Sequence, residues 1–195
     1  MNIKYYKFLR FSGVAGIFVL WTFTVTGMVR ANLGLVDTRP LSYLGVDPSS
    51  ASLFSSGLII SALLFIAFGV HVRKYFNVRS RFLTFLLIGQ AGQLIAAIAP
   101  YGEQSQFKLL HTVAAFVLAF SLPVLIRSFA YSQTHTSQFK LYLWLYRFEL
   151  LTFVIGIGLF IFTSGIAPIG EALPAIGFHV WIIALTFLSR TPQKI

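Results

Sequence analysis

The sequence predicts an all-α fold: a polytopic bundle of six transmembrane helices with both termini in the cytoplasm. Three observations point to it. The chain is 57% hydrophobic and only 10% charged, where a soluble domain carries about a quarter charged residues. It contains six apolar runs of about 18–22 residues, each long enough to cross a hydrocarbon core near 30 Å. Its basic residues fall in short segments beside those runs, on alternating sides, as the positive-inside pattern requires.

The runs are drawn over residues 9–29, 51–72, 82–99, 107–126, 147–166 and 172–189, in one transmembrane domain spanning 1–195. The first follows Lys4, Lys7 and Arg10, as a signal peptide would. It is longer than an h-region of about 7–15 residues and Met28-Val29-Arg30-Ala31 lacks a small-x-small cleavage site, so it reads as a retained helix. The segment 30–50 is the longest loop; Leu41-Ser42-Tyr43-Leu44-Gly45 within it reads as a short helical turn on the outer surface. Asp47-Pro48-Ser49-Ser50 offers an N-cap acid followed by proline, a strong start for the second run. Ser52/Ser56, Gly57/Ser61 and Gly92/Ala96 are small-xxx-small pairs that let helix backbones approach in lipid. Pro123 is expected to kink the fourth run. Ahead of the fifth, Tyr142, Trp144 and Tyr146 resemble an interfacial belt, so Arg147 is expected to snorkel and Glu149 to sit just below the headgroups; the alternative is a buried functional pair. On that reading no acid lies at mid-membrane, where a proton-coupled pump would want one.

Orientation follows from the fifteen Lys and Arg. All but Arg30, Arg39 and Lys108 fall on one side, which makes that side cytoplasmic and the protein multi-pass in the plasma (cytoplasmic) membrane. A net charge of +10 would suit nucleic acid, but its distribution beside apolar runs excludes that partner class. Cysteine is absent, which rules out disulfides, thiolate nucleophiles and Cys-type metal sites.

Few polar residues fall where chemistry could be done. Gln90 and Gln93 lie mid-run on adjoining faces, where a primary amide must find partners; they either bond between helices or line a polar path. Glu103 and His111 flank the turn between the third and fourth runs, and Glu171 opens the sixth at the same level. His179 stands two turns further along, roughly 12 Å deeper. These residues read as solvated helix-end acids with a buried histidine, as a ligand pocket opening outward, or as a catalytic or metal site built on His111, Glu103 and Glu171. His71 and His135 lie on the opposite side, so a His-rich metal site does not assemble, and a haem between His111 and His179 would need equal depths. No metal or cofactor is expected.

Several of these segments also carry a likeness. Leu41-Ser42-Tyr43-Leu44-Gly45-Val46 followed by Ser52-Leu53-Phe54-Ser55-Ser56-Gly57-Leu58-Ile59 resembles the LSDLG…FNxGLIL stretch of the six-span prokaryotic family known as domain of unknown function 998. Residues 97–111 resemble its GxFPE…H turn, and Gly170-Glu171 with Trp181 resembles its last helix. The resemblance implies a six-helix bundle in which Glu103, His111 and Glu171 match the family's polar outer residues. It also implies a distant likeness to Frag/DRAM/Sfk membrane proteins, some of them linked to lipid remodelling. Tyr43 and Ala172 depart from the family pattern, which usually has Asp and a basic residue there.

The reading that results is a membrane protein binding a lipid headgroup or small polar ligand through Glu103, His111 and Glu171, with Gln90, Gln93 and His179 below. Membrane lipids are the expected partners. The alternatives are a membrane-embedded hydrolase of lipid-linked substrates with His111 as base or metal ligand, and a structural subunit of a membrane complex or homo-oligomer.

Overall fold

A computed structural model describes residues 3–99, 101, 106–162 and 167–189. Among them are six α-helices: α1 (Ile3–Arg30), α2 (Ala51–Tyr75), α3 (Ser80–Ile98), α4 (Lys108–Ser132), α5 (Phe139–Phe162) and α6 (Ala167–Leu188). A 3-10 turn, Leu41–Gly45, interrupts the α1–α2 connection. All six helices are long and apolar enough to cross a bilayer. Their outward faces are not those of a water-soluble bundle: Phe18, Leu63, Leu109, Val154 and Phe162 are exposed, the last at 85%. Apolar surface this extensive is covered by acyl chains rather than water. The chain is therefore a multi-pass integral membrane protein.

Two helices stop by the same local device. In α1, Asn32 takes a left-handed conformation (φ 49°), and the Leu33 N–H donates back to the Met28 carbonyl at 2.9 Å. In α2, Asn77 does the same (φ 51°), with Val78 N–H donating to Arg73 O at 3.2 Å. This six-to-one closure satisfies terminal carbonyls, and asparagine tolerates the left-handed region better than most residues. Arg73 and Lys74 in the last turn of α2 further offset its negative end.

The entry to α2 differs from the expected cap. The helix begins at Ala51 with Ser50 as its N-cap, and the Ser50 hydroxyl donates to Leu44 O rather than capping. Asp47 closes a turn one step earlier: its backbone oxygen accepts from Ser50 and Ala51, and its side chain accepts from the Ser49 N–H at 2.9 Å. Bonds from the Ser49 hydroxyl and the Ser49 N–H hold the Asp47 carboxyl below the ordinary carboxylate range.

Each helix packs most extensively on its hairpin partner, giving the pairs α1–α2, α3–α4 and α5–α6, and α1 meets α6 to close the ring. The C-terminal ends of α1, α3 and α5 and the N-terminal ends of α2, α4 and α6 gather at one end, called the loop end. The start of α1 and the end of α6 lie at the other, where His71 Nε2 is 3.0 Å from Ser189 Oγ and Arg10 donates to Thr186 O. Small residues make the close seams, as membrane packing demands. A Cβ on Gly92 would lie 2.7 Å from Ala114 O, and one on Gly156 would lie 2.8 Å from Gly170 O. Gly57 leaves room for Phe23, whereas Ser52 faces outward and makes no such seam.

The interior is unevenly filled. Toward the terminal end, Phe65, Phe68, Phe82, Phe129, Phe178 and Trp181 build a dense aromatic core. At the loop end a smaller cluster gathers around the 3-10 turn, with Met28, Leu33, Leu41, Leu44 and Phe54. The turn expected on the surface is thus seated in the bundle: Leu41, Ser42 and Leu44 are buried. Alternation of apolar with polar residues lets one short turn bury its leucines and still offer Ser42 inward.

Candidate ligand-binding cavity

Between the aromatic core and the 3-10 turn lies a cavity of about 240 Å³, a little under the ~300 Å³ lower end for drug-sized ligands. All six helices line it. Its wall is mostly apolar, with polar groups at Thr24, Ser42, Gln93, Tyr101, His111, Thr112, Glu171 and His179.

Most of these polar groups are fixed by a specific bond. Glu171, in the first turns of α6, accepts from Ser42 twice: the backbone N–H reaches Oε2 at 2.9 Å and the hydroxyl reaches Oε1 at 3.0 Å. The segment leading into the 3-10 turn is itself tied to α6 by the Ala167 N–H donating to Asp37 O at 3.2 Å. Gln93 donates both amide hydrogens to α2, to Leu58 O at 2.9 Å and Ser61 Oγ at 2.8 Å. A carbonyl oxygen can only accept, so these partners fix the amide's orientation and leave Oε1 as an acceptor. Thr112 donates to Lys108 O.

The two histidines are held in opposite tautomers. His111 Nδ1 lies 2.6 Å from Ala99 O and 3.1 Å from Ala96 O. Both partners only accept, so Nδ1 carries the hydrogen and Nε2 keeps its lone pair. His179 Nδ1 accepts from the Trp21 indole N–H at 3.0 Å, so in the neutral ring its hydrogen sits on Nε2. Because Trp21 engages the Nδ1 lone pair, His179 is a poor metal ligand in this arrangement. Among the described residues no group of three or more His, Cys, Asp or Glu gathers as a metal would need.

The outcome for the six residues singled out in the sequence is mixed. His111, Glu171, His179 and Gln93 line one cavity. Gln90 does not: it is fully buried elsewhere in the interior, with neither amide atom hydrogen-bonded among the described residues. Glu103 lies outside the described residues. Trp21, Ser42 and Tyr101 join the site from positions that hydropathy does not mark. Trp21 orients His179, Ser42 holds Glu171, and the Tyr101 ring packs 5.5 Å from His111. Ser42 carries a weak signal, being the inward polar position of a turn with buried leucines on either side.

Glu149 is a correction. The residue expected below the headgroups stands near the middle of α5 and is 0% exposed. Its carboxyl fills the space left by the missing side chain of Gly177 on α6, and neither oxygen has a hydrogen-bond partner among the described residues. Arg147 is exposed, so the two do not form a buried pair. The physical reason is that α5 starts at Phe139 and buries Tyr142, Leu145, Glu149, Thr152, Phe153 and Gly156 along one face. Tyr142 belongs to that stripe, not to an outward aromatic belt, and an acid does after all lie near mid-helix.

No family model, curated protein or solved structure matches this chain.

Proposed function

We propose that this protein binds the polar end of an amphipathic molecule, a lipid headgroup or a small polar ligand, in the cavity beneath the 3-10 turn. The observation that carries this reading is the convergence of Gln93, His111, Glu171 and His179 on one space lined by all six helices. Apolar walls with a few fixed polar groups suit a ligand that is itself mostly apolar. Membrane lipids are the most abundant such molecules around these helices. The basic-residue count supports a cavity facing outward in a plasma-membrane protein with both termini cytoplasmic.

The test is ligand retention. Protein purified in mild detergent should carry a defined lipid or small molecule, identified by extraction and mass spectrometry. His111→Ala and Glu171→Gln should lower its occupancy at least about tenfold. Unchanged occupancy in both variants would end the proposal.

A second reading rests on one observation, the lone pair left at His111 Nε2. A histidine so oriented could serve as general base in hydrolysing a lipid-linked substrate. Turnover of membrane lipid by the purified protein, abolished in His111→Ala, would favour it.

A further inference from the structure

The Trp21 indole N–H, the Ser42 hydroxyl, the Gln93 amide and the Thr112 hydroxyl all donate to protein atoms. The acceptors that remain for a ligand are Gln93 Oε1, the His111 Nε2 lone pair and the Glu171 carboxyl oxygens. The His179 Nε2–H and the hydroxyls of Thr24 and Tyr101 remain as donors. Among the described residues no Lys or Arg lines the cavity, and Glu171 has no ion-pair partner. Aromatic rings come from several sides, with Trp21, Phe54, Phe65, Phe116 and Phe160 in the wall; the Tyr101 ring, also in the wall, already faces the Lys108 ammonium at 5.6 Å. A carboxyl, unused acceptors, aromatic faces and no cation form the pattern that recognises organic ammonium. A phosphate would find little to hold it here, since phosphate sites are built from Arg, Lys and backbone N–H groups.

Resting on the ligand-binding reading above, we propose that the cavity takes an amphipathic organic cation, with its ammonium beside Glu171 and among the aromatic rings. The cation supplies the opposite charge that Glu171 lacks among the described residues, and the alkyl part lies along the apolar wall. Two sources share this chemistry. One is a free lipophilic amine or quaternary ammonium; the other is the cationic tip of a choline-type lipid whose phosphate stays outside the cavity.

The experiment uses the full-length protein in a neutral detergent, with tryptophan fluorescence and calorimetry as readouts. The probes are hexyltrimethylammonium, its uncharged tert-butyl isostere, hexyl phosphate and dihexanoylphosphatidylcholine. The ammonium probe is expected to bind at least about tenfold more tightly than the isostere, and hexyl phosphate not to compete. Glu171→Gln should remove that preference while the isostere still binds, which shows the cavity intact in the variant. Equal or tighter binding of the isostere or of hexyl phosphate overturns the cation assignment and leaves the cavity as a ligand site. No binding by any probe overturns both. Competition by dihexanoylphosphatidylcholine supports the cation assignment with a lipid source; hexyltrimethylammonium binding without that competition supports it with a free cation.

Discussion

Glu171 and Glu149 are both glutamates inside a membrane bundle, yet their surroundings differ in every respect that matters. Glu171 borders a cavity and accepts two hydrogen bonds from a single serine. Glu149 is walled in between α5 and α6, with neither oxygen bonded among the described residues. The first is a group the fold was built to hold, since a buried 3-10 turn presents Ser42 to it. The second is held by sterics alone, in the gap at Gly177. The contrast shows that burial of an acid in such a bundle is no guide to its role; partners and adjoining space are.

The comparison can be broken by substitution. Removing the partnered acid should have the largest effect: Glu171→Leu leaves the Ser42 N–H and hydroxyl without acceptors and should lower stability by about 2 kcal/mol, read from unfolding in detergent. The unpartnered acid should respond with the opposite sign. Glu149→Met replaces a desolvated carboxyl by an apolar chain of similar length and should leave stability unchanged or raise it by about 1–2 kcal/mol. A loss there would mean that Glu149 has a bonding partner in the membrane-embedded protein.

A smaller change sharpens the cavity side. Trp21→Phe keeps a ring but removes the donor to His179, and should cost about 1 kcal/mol. Because His179 Nδ1 then has no donor, its tautomer should shift, visible in imidazole nitrogen chemical shifts. The smallest effect concerns the segment that ties the turn to α6. Hydrogen bonds from the Arg39 side chain and backbone N–H hold the Asp37 carboxyl down to about 2. Their contribution should therefore be complete above roughly pH 4, the ordinary aspartate value, and fade as pH falls through about 2. Amide exchange at Arg39, whose N–H donates to Asp37 Oδ1 at 2.8 Å, reports this directly. Protection that declines at neutral pH instead would break the assignment.

Helix number and approximate placement are legible because six apolar runs of membrane length, so poor in charge, are hard to reconcile with folding in water. The helix ends are less so. Arg30-Ala31-Asn32-Leu33 and Tyr75-Phe76-Asn77-Val78 both carry the asparagine that closes a helix, but that signal is quiet beside the hydropathy pattern. Glu149 is misplaced by sequence reasoning because Tyr142, Trp144 and Tyr146, read as a group, imitate a belt. Helical period separates them: Tyr142, Leu145 and Glu149 share one face, while Trp144 is 55% exposed. Gln90 and Gln93 lie about 60° apart around α3, too close for hydropathy to tell which one reaches α2. That depends on how the helix is rotated, which the neighbours fix. The cavity is legible only as a set of polar residues at one end, since convergence needs all six rotations at once.

The glycine seams have a mechanical consequence. Backbone rests on backbone between α3 and α4 at Gly92, and between α5 and α6 at Gly156 and Gly170. Neither pair can slide without collision, so each of these hairpins behaves as one stiff stave. The joints between hairpins, α2 against α3, α4 against α5 and α6 against α1, are less extensive. Any change in the volume of the hollow will run along those three joints, as in a cask whose hoops are loosened while its planks stay whole.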